Sequence, residues 1–364
     1  MKPKILVMGA VGKTGKEVTL GLLAKGFPVR ALVRVEDWRS QQLRQAGAEI
    51  FVGDMVEMSD LSRAMKGIQR AYFVAPFNPG QLYKAIAFAV AAAEAKLEVV
   101  VGITQWLAHP QHPSVATRES YLTEQILSWM PGVDLVLVNP GWFADNYMAL
   151  LEPISQLGIF PMPLGEGKTA PVSNKDIAKV VVATLTNPAP HIGKTYRPTG
   201  AKILDPYEVA DSFARVLNRP VRYQNISEEM FFKATKSMGI ESRLQSQLRY
   251  YLEEYRRGGF EVGAPNNAVL EVGGQEPEDF ETTIQHYVNH SSVTKPTLAN
   301  KLKAISLFGK ILLTSTPDLD KYEQNQSHVL LREPKLSLDY APWSATHKSE
   351  NAFGYQLEST LNFS

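Results

Sequence analysis

Through residues 1–140, short runs of apolar, β-branched residues alternate with longer stretches in which apolar positions recur every three or four residues. That alternation is the pattern of βαβ units around a parallel sheet, whose strands are buried on both faces and so read as unbroken apolar runs. Strands are predicted at 5–8, 29–33, 49–52, 71–74, 99–103 and 135–138, and helices between them at 14–25, 38–46, 61–66, 82–96 and 114–130. Right-handed crossovers then give a Rossmann-type doubly wound sheet of order 3-2-1-4-5-6.

Past Pro140 the alternation stops. Pro153, Pro161, Pro163 and Pro171 crowd a stretch predicted to hold no regular helix. Helical patterns at 176–185, 206–217 and 228–256, with strands at 194–198 and 221–225, suggest a smaller α+β C-terminal lobe. The expected division is a dinucleotide-binding domain at 1–150, a closing lobe interleaved with it at 151–290, and an extension of unknown role at 291–364. Within the extension, residues 300–313 carry apolar positions at helical spacing together with Lys301, Lys303 and Lys310. Packing on its own protein is the simpler expectation for this helix, and a membrane-surface or partner helix is the alternative. Beyond Thr314 the pattern decays into a polar tail with scattered aromatics.

Composition narrows the chemistry. Lys plus Arg number 38 against 37 Asp plus Glu, so no global charge draws the chain to nucleic acid or to an anionic membrane, and neither partner is expected. The chain has no cysteine, which excludes disulfides, thiolate metal sites and a Cys nucleophile. His109 and His112, flanked by Pro110 and Pro113, read as loop, and no metal is expected. The first strand begins at once, leaving no room for a signal peptide, and no apolar run reaches membrane-spanning length, so the cytoplasm is the expected location.

The first strand runs straight into Gly9-Ala10-Val11-Gly12-Lys13-Thr14-Gly15 and then a helix. Such a loop lets the backbone approach a pyrophosphate, whose charge meets the N–H groups at the helix start. Gly9, Val11, Gly12, Lys13, Thr14 and Gly15 are therefore cofactor-binding candidates. The second strand ends in Arg34, which suits the 2′-phosphate of NADP through paired charged hydrogen bonds, with Lys13 as a second cation. Glu36, two residues on, keeps NAD open. Asp54 and Met55 follow the third strand, where Asp54 either meets the adenine or caps its turn. Ala75, Pro76 and Phe77 end the fourth strand on the carboxyl edge where ligands bind in such sheets.

Together with Gly53-Asp54, Thr123-Glu124, the run 135–141, Asn146, the run 171–178, the run 193–196 and Thr199-Gly200, these motifs resemble the NmrA-like family of atypical short-chain dehydrogenases over residues 3–290. The resemblance implies an NADP-preferring Rossmann domain, a small lobe closing a cleft, and a group containing both reductases and cofactor-sensing regulators. Ordinary short-chain dehydrogenases pair a Tyr with a Lys four residues later. Here Tyr121 is followed at that spacing by Gln125, which cannot lower a phenol pKa through charge. The position where some relatives carry Lys or His, four residues before Glu124, is Ser120. Thr104 aligns with the family's usual Ser.

Two functions follow as expectations. One is an NADPH-dependent reductase of a small carbonyl or quinone-like molecule, with Thr104 and Tyr121 as the catalytic candidates. The other is a catalytically idle NADP(H) sensor working through a protein partner. Trp142, Phe143 and Tyr147 are expected near the cleft, and a homo-oligomer or a partner bound through the tail is also open.

Overall fold

The computed structural model describes residues 2–326, 329–349 and 354–356. Its centre is an eight-stranded sheet. Strands β1 (Ile5–Val7), β2 (Val29–Val33), β3 (Glu49–Val52), β4 (Arg70–Val74), β5 (Val99–Ile103) and β6 (Asp134–Val138) lie in the expected order 3-2-1-4-5-6. Successive residues of an extended strand point to opposite faces. Ile5 and Val7 accordingly enter one core with Tyr72 and Val136, while Leu6 and Met8 enter the other with Phe73 and Leu137, all of them buried. Burial on both faces is why these strands show no apolar–polar alternation.

The helices of this domain are α1 (Lys13–Ala24), α2 (Trp38–Gln45), α3 (Met58–Met65), α4 (Gln81–Glu94) and α5 (Val115–Ser128). Asp37 and Ser40 form a reciprocal capping box for α2, and Ser114 caps α5. Helix α1 has no side-chain cap and no acidic residue in its first turn. Its first N–H groups are thus left for something else.

The boundary expected at Pro140 is crossed more than once. Short α6 (Asp145–Met148) leads into α7 (Leu151–Leu157), so the proline-rich stretch does hold a helix. Pro153 is the third residue of α7, in the first turn, where a backbone N–H has no helical acceptor to lose. Strand β7 (Ile159–Pro161) follows. Helix α8 (Asn174–Thr186), capped by Ser173, then returns to pack on α1. Strand β8 (Lys194–Tyr196), expected in the lobe, instead joins β6 as the seventh parallel strand of the main sheet.

The lobe proper comprises α9 (Pro206–Leu217), β9 (Arg222–Gln224) paired with β7, α10 (Glu228–Ser237), α11 (Ser242–Arg256), α12 (Ala268–Gly273) and α13 (Phe280–His290). Its core is largely aromatic: Trp142, Tyr147, Phe160, Phe213, Tyr255 and Phe280 are all buried there. Trp142 and Tyr147, expected at the cleft, belong to this core, and the Tyr147 hydroxyl bonds that of Tyr255 at 2.9 Å.

After α14 (Leu298–Leu313) the described residues of the tail form regular elements that its polar sequence pattern did not predict. These are α15 (Leu319–Asn325), α16 (Ala341–Lys348) and β10 (Gly354–Gln356), which pairs antiparallel with β8. Trp343 is 4% exposed and donates from Nε1 to the Trp106 carbonyl at 2.9 Å. Arg257 binds Asp339 with two nitrogens at 2.7 and 2.9 Å. No helix of the described residues is long and apolar enough to cross a membrane.

Candidate functional site

The glycine loop joins β1 to α1. Gly9 sits at φ +60°, a left-handed conformation that L side chains rarely adopt, and a Cβ on Gly15 would collide with the Gly9 carbonyl. These two glycines build the turn. Gly12 differs: at φ −74° and ψ 168° its backbone would accept any residue, and a Cβ there would lie 3.0 Å from the Gly9 carbonyl oxygen. Its smallness keeps open the space before the uncapped start of α1, which fits a pyrophosphate.

Thr14 and Lys13 tie this helix start to α8 and α6 and, through Asp145, to Tyr287 of the lobe helix α13. Thr14 Oγ1 donates to Asn174 Oδ1 at 2.7 Å, and Asn174 Nδ2 donates to Asp145 Oδ1, also at 2.7 Å. The Tyr287 hydroxyl donates to the same Asp145 oxygen at 2.6 Å, and Lys13 Nζ lies 2.7 Å from Asp145 Oδ2. The lysine expected to meet a phosphate is thus engaged by a buried carboxylate, although its own side chain is exposed. Val11 is half-buried against the sheet core.

At the end of β2 the two rival side chains have different partners. Glu36 is gripped by both guanidinium nitrogens of Arg44, at 2.7 and 3.0 Å. Arg34 is exposed and makes no ion pair among the described residues. The acid that would have held a ribose hydroxyl is already committed, and the cation suited to a phosphate is not. Asp54 Oδ1 accepts the Val56 N–H at 3.1 Å, capping its own turn, and half-buried Met55 packs under the sheet. Pro76 is half-buried between Ala75 and Phe77.

A cleft of about 260 Å³ opens at the carboxyl ends of β4, β5 and β6, beside Thr14. Ala75 and Phe77 form one rim, and Trp106, Phe143, Tyr251 and Phe260 supply its aromatic walls. Among the described residues no charged side chain lines it. Helix α5 presents Ser120 and Thr123 to the cleft, whereas Tyr121, one residue round the helix from Ser120, is half-buried and does not line it. Burial raises the Tyr121 pKa, reinforced by Tyr340 and Glu124.

Thr104 does line the cleft, at the end of β5. Its hydroxyl bonds Glu124 Oε1 and sits 2.8 Å from Asn139 Oδ1, while Asn139 Nδ2 donates to Glu124 Oε1 at 2.9 Å. One hydroxyl proton cannot serve two acceptors. A proton on Glu124 resolves the shortage: the acid donates to Thr104, and Thr104 donates to Asn139. Consistently, burial pushes the Glu124 carboxyl up to about 7, against the lowering effect of its hydrogen bonds and of Arg197. Ser120 accepts from Gln105 at 2.7 Å and Gln81 at 3.2 Å, and Tyr251 donates to Gln105 Oε1. Gln105, Tyr251 and Glu124 had no sequence signal as a group, because only the fold brings β5, α5 and α11 together.

The structure also unites His109, His112 and Glu254, all buried. Both ring nitrogens of His109 are buried with no hydrogen-bond partner among the described residues, but the hydrogen bonds of His112 argue against a metal. His112 Nδ1 accepts the Ser114 N–H at 3.0 Å, so the neutral ring carries its proton on Nε2, facing Glu254 Oε1 at 3.2 Å. A protonated nitrogen cannot ligate. Burial pushes His109 down to about 3, and Glu254 Oε1 also receives the Ser337 N–H at 2.6 Å, tying the tail to the lobe.

With this geometry in place, comparison with known proteins identifies the group. The sequence model of the NmrA-like family matches residues 1–269. The chain belongs to the NmrA-like family. It is 33% identical over 245 residues to the NAD(P)H azoreductase of Xenophilus azovorans, covering 66% of this chain and 83% of that one. The NADPH-dependent quinone oxidoreductase of Escherichia coli, solved with NADPH, superposes with a TM-score of 0.69 at 23% identity, over 78% of this chain and 99% of that one. NmrA, a negative transcriptional regulator solved with NADP, gives 0.65 at 15% identity, over 78% and 94% of the respective chains. Both structures share the fold, and the family includes reductases and a regulator.

Proposed function

We propose that this protein is an NADPH-dependent reductase of a small, flat, uncharged carbonyl or quinone-like acceptor. The observation that carries the reading is the cleft beside the glycine loop, walled by aromatic residues, free of charged side chains and holding the Thr104 hydroxyl backed by a buried acid. Aromatic walls favour a flat acceptor, and a cleft without cations gives an anionic substrate nothing to pair with.

The backbone from Gly9 to Gly15 would hold the pyrophosphate, Arg34 the 2′-phosphate, and Ala75 to Phe77 the rim over the dinucleotide. When bound, NADPH supplies the hydride. Thr104 turns its one proton from Asn139 Oδ1 to the acceptor oxygen and passes it on, and the Glu124 acid replaces that proton on Thr104. Phe77 and Phe260 keep water from the cleft. Tyr121 has no part in this arrangement, and Tyr251 fixes Gln105 and, through it, Ser120.

NADPH oxidation measured against quinones, aldehydes, enones and azo compounds tests the proposal. Turnover of quinones or related flat acceptors is expected. One observation favours the second reading, an NADP(H)-sensing regulator: Ser120 occupies the position where some family members carry Lys or His, and no other cation enters the cleft. Absence of turnover, together with NADPH-dependent protection of residues 153–171 from protease, would establish the sensor instead.

A further inference from the structure

Helix α14 lies beyond the family match, which ends at residue 269, and it is built unlike the other helices. Of its sixteen residues only Ala304 is buried. Leu298, Leu302, Ile305, Leu312 and Leu313 are exposed by 73, 56, 51, 55 and 91%. At 3.6 residues per turn these five fall within an arc of about 100°, with Gly309 in the same arc. This face points away from the protein. The opposite side, Leu307 and Ile311, faces the lobe across an apolar cavity of about 180 Å³ that is also lined by Pro153, Met230, Met238 and Phe308. Phe308 lines that cavity and is itself 46% exposed. Packing on the lobe therefore does not account for the apolar content of α14.

Charge selects the occupant of the exposed face. The helix carries Lys301, Lys303 and Lys310 and no acidic residue. Lys301 borders the apolar arc on one side, and Lys303 and Lys310 lie beyond its other edge. Lys303 lies 3.8 Å from Glu152 of α7 and Lys310 donates to the Ser237 carbonyl at 2.8 Å, so Lys301 is the lysine of the three with no such partner among the described residues. A second copy of this helix laid along the seam would bring lysines toward lysines with no acid from either helix to offset them. An anionic lipid surface presents the opposite charge to both edges while the apolar arc enters the acyl boundary.

We propose that α14 is a membrane-surface helix that docks the protein, lying flat, on bilayers containing anionic phospholipid. The near-zero net charge of the whole chain conceals it, because only three lysines, flanking the apolar arc without an acid on the same helix, are involved. The docking is separate from the reductase reading, since α14 contributes nothing to the cleft.

Co-sedimentation of the full-length protein with vesicles tests this, using phosphatidylcholine alone and phosphatidylcholine with about one-third phosphatidylglycerol. Binding to the anionic vesicles, weakened by salt, is expected. Leu302→Glu with Ile305→Glu should weaken it at least about tenfold, since two apolar side chains leave the bilayer. Lys301→Gln with Lys303→Gln should weaken it about fivefold per charge. All four positions are exposed, and circular dichroism with NADPH binding checks that the variants fold. Failure of the wild type to bind, equal binding to neutral vesicles, or binding indifferent to the glutamate pair would overturn the proposal. A dimer that the glutamate pair dissolves, seen on sizing without vesicle binding, would assign the face to a second copy.

Discussion

Two side chains decide most of the proposed chemistry. Arg34 has no ion-pair partner among the described residues while Glu36 is held by Arg44, so Arg34→Ala should weaken NADPH roughly tenfold to a hundredfold and leave NADH nearly unchanged. Titration of both nucleotides by fluorescence reads this directly, and equal losses would remove Arg34 from the 2′-phosphate. Gly12→Val suits the local backbone angles but its Cβ would press on the Gly9 carbonyl oxygen 3.0 Å away, so circular dichroism checks folding first; a folded variant should lose dinucleotide binding, and undiminished NADPH binding would make the loop merely structural. If Glu124, pushed up to about 7 by burial, supplies the proton as proposed, kcat/KM should fall as pH rises through about 7. Glu124→Gln should lower kcat roughly a hundredfold and abolish that limb, with NADPH affinity intact. The same shift acts on stability with the sign of a raised carboxyl: the folded form holds a proton that the unfolded form releases. Stability is therefore lost between the unfolded carboxyl pKa and about 7, and Glu124→Gln should flatten that loss in urea titrations.

Among the elements, the tail shows how a polar-looking segment becomes part of a core. Trp343 is 4% exposed and bonds the carbonyl of Trp106, itself a wall of the cleft. Replacing it with Ala should cost about 3–5 kcal/mol, read as a lower denaturant midpoint with little change in slope. Truncation at Thr314 should do at least as much harm, because it also removes the Asp339 partner of Arg257 and the Ser337 N–H that binds Glu254. A truncated chain as stable as the full one would show that the tail only rests on the surface. In α5, the difference between Ser120 and Tyr121 is one residue, about 100° of rotation, and it separates a side chain in the cleft from one beside it.

At the scale of the whole molecule, ligand binding should register as stability. On the proposed reading NADPH sits on the loop whose Lys13 and Thr14 are bonded to Asp145 and Asn174, and Tyr287 of α13 bonds the same Asp145, so it should stabilise sheet and lobe as one unit. At a hundred times its Kd it should add about 2.7 kcal/mol, raising Tm in a single transition, and NADH at equal concentration should add less. A split transition would show that the two parts melt independently.

Residues 1–140 were legible because each βαβ unit is local: apolar runs, turn glycines and helix periodicity lie within a few tens of residues, and handedness then restricts the order. Gly9 to Gly15, Arg34 and the carboxyl edge could be named for the same reason. Three things lay outside that reach. Pro153 was read as a helix breaker because its first-turn position depends on where α7 begins. Strand β8 looked like lobe structure because pairing with β6 joins segments more than fifty residues apart. The tail read only as polar with scattered aromatics, of unknown role, because Trp343, Ser337 and Asp339 find partners only on surfaces made by distant chain. The sequence by itself determined the dinucleotide-type sheet and the glycine loop after its first strand, which rest on local spacing. The tertiary structure alone decided which side chains share the cleft, that Glu124 backs Thr104, and that the apolar face of α14 is left to solvent, because burial and hydrogen-bond partnership are properties of neighbours in space.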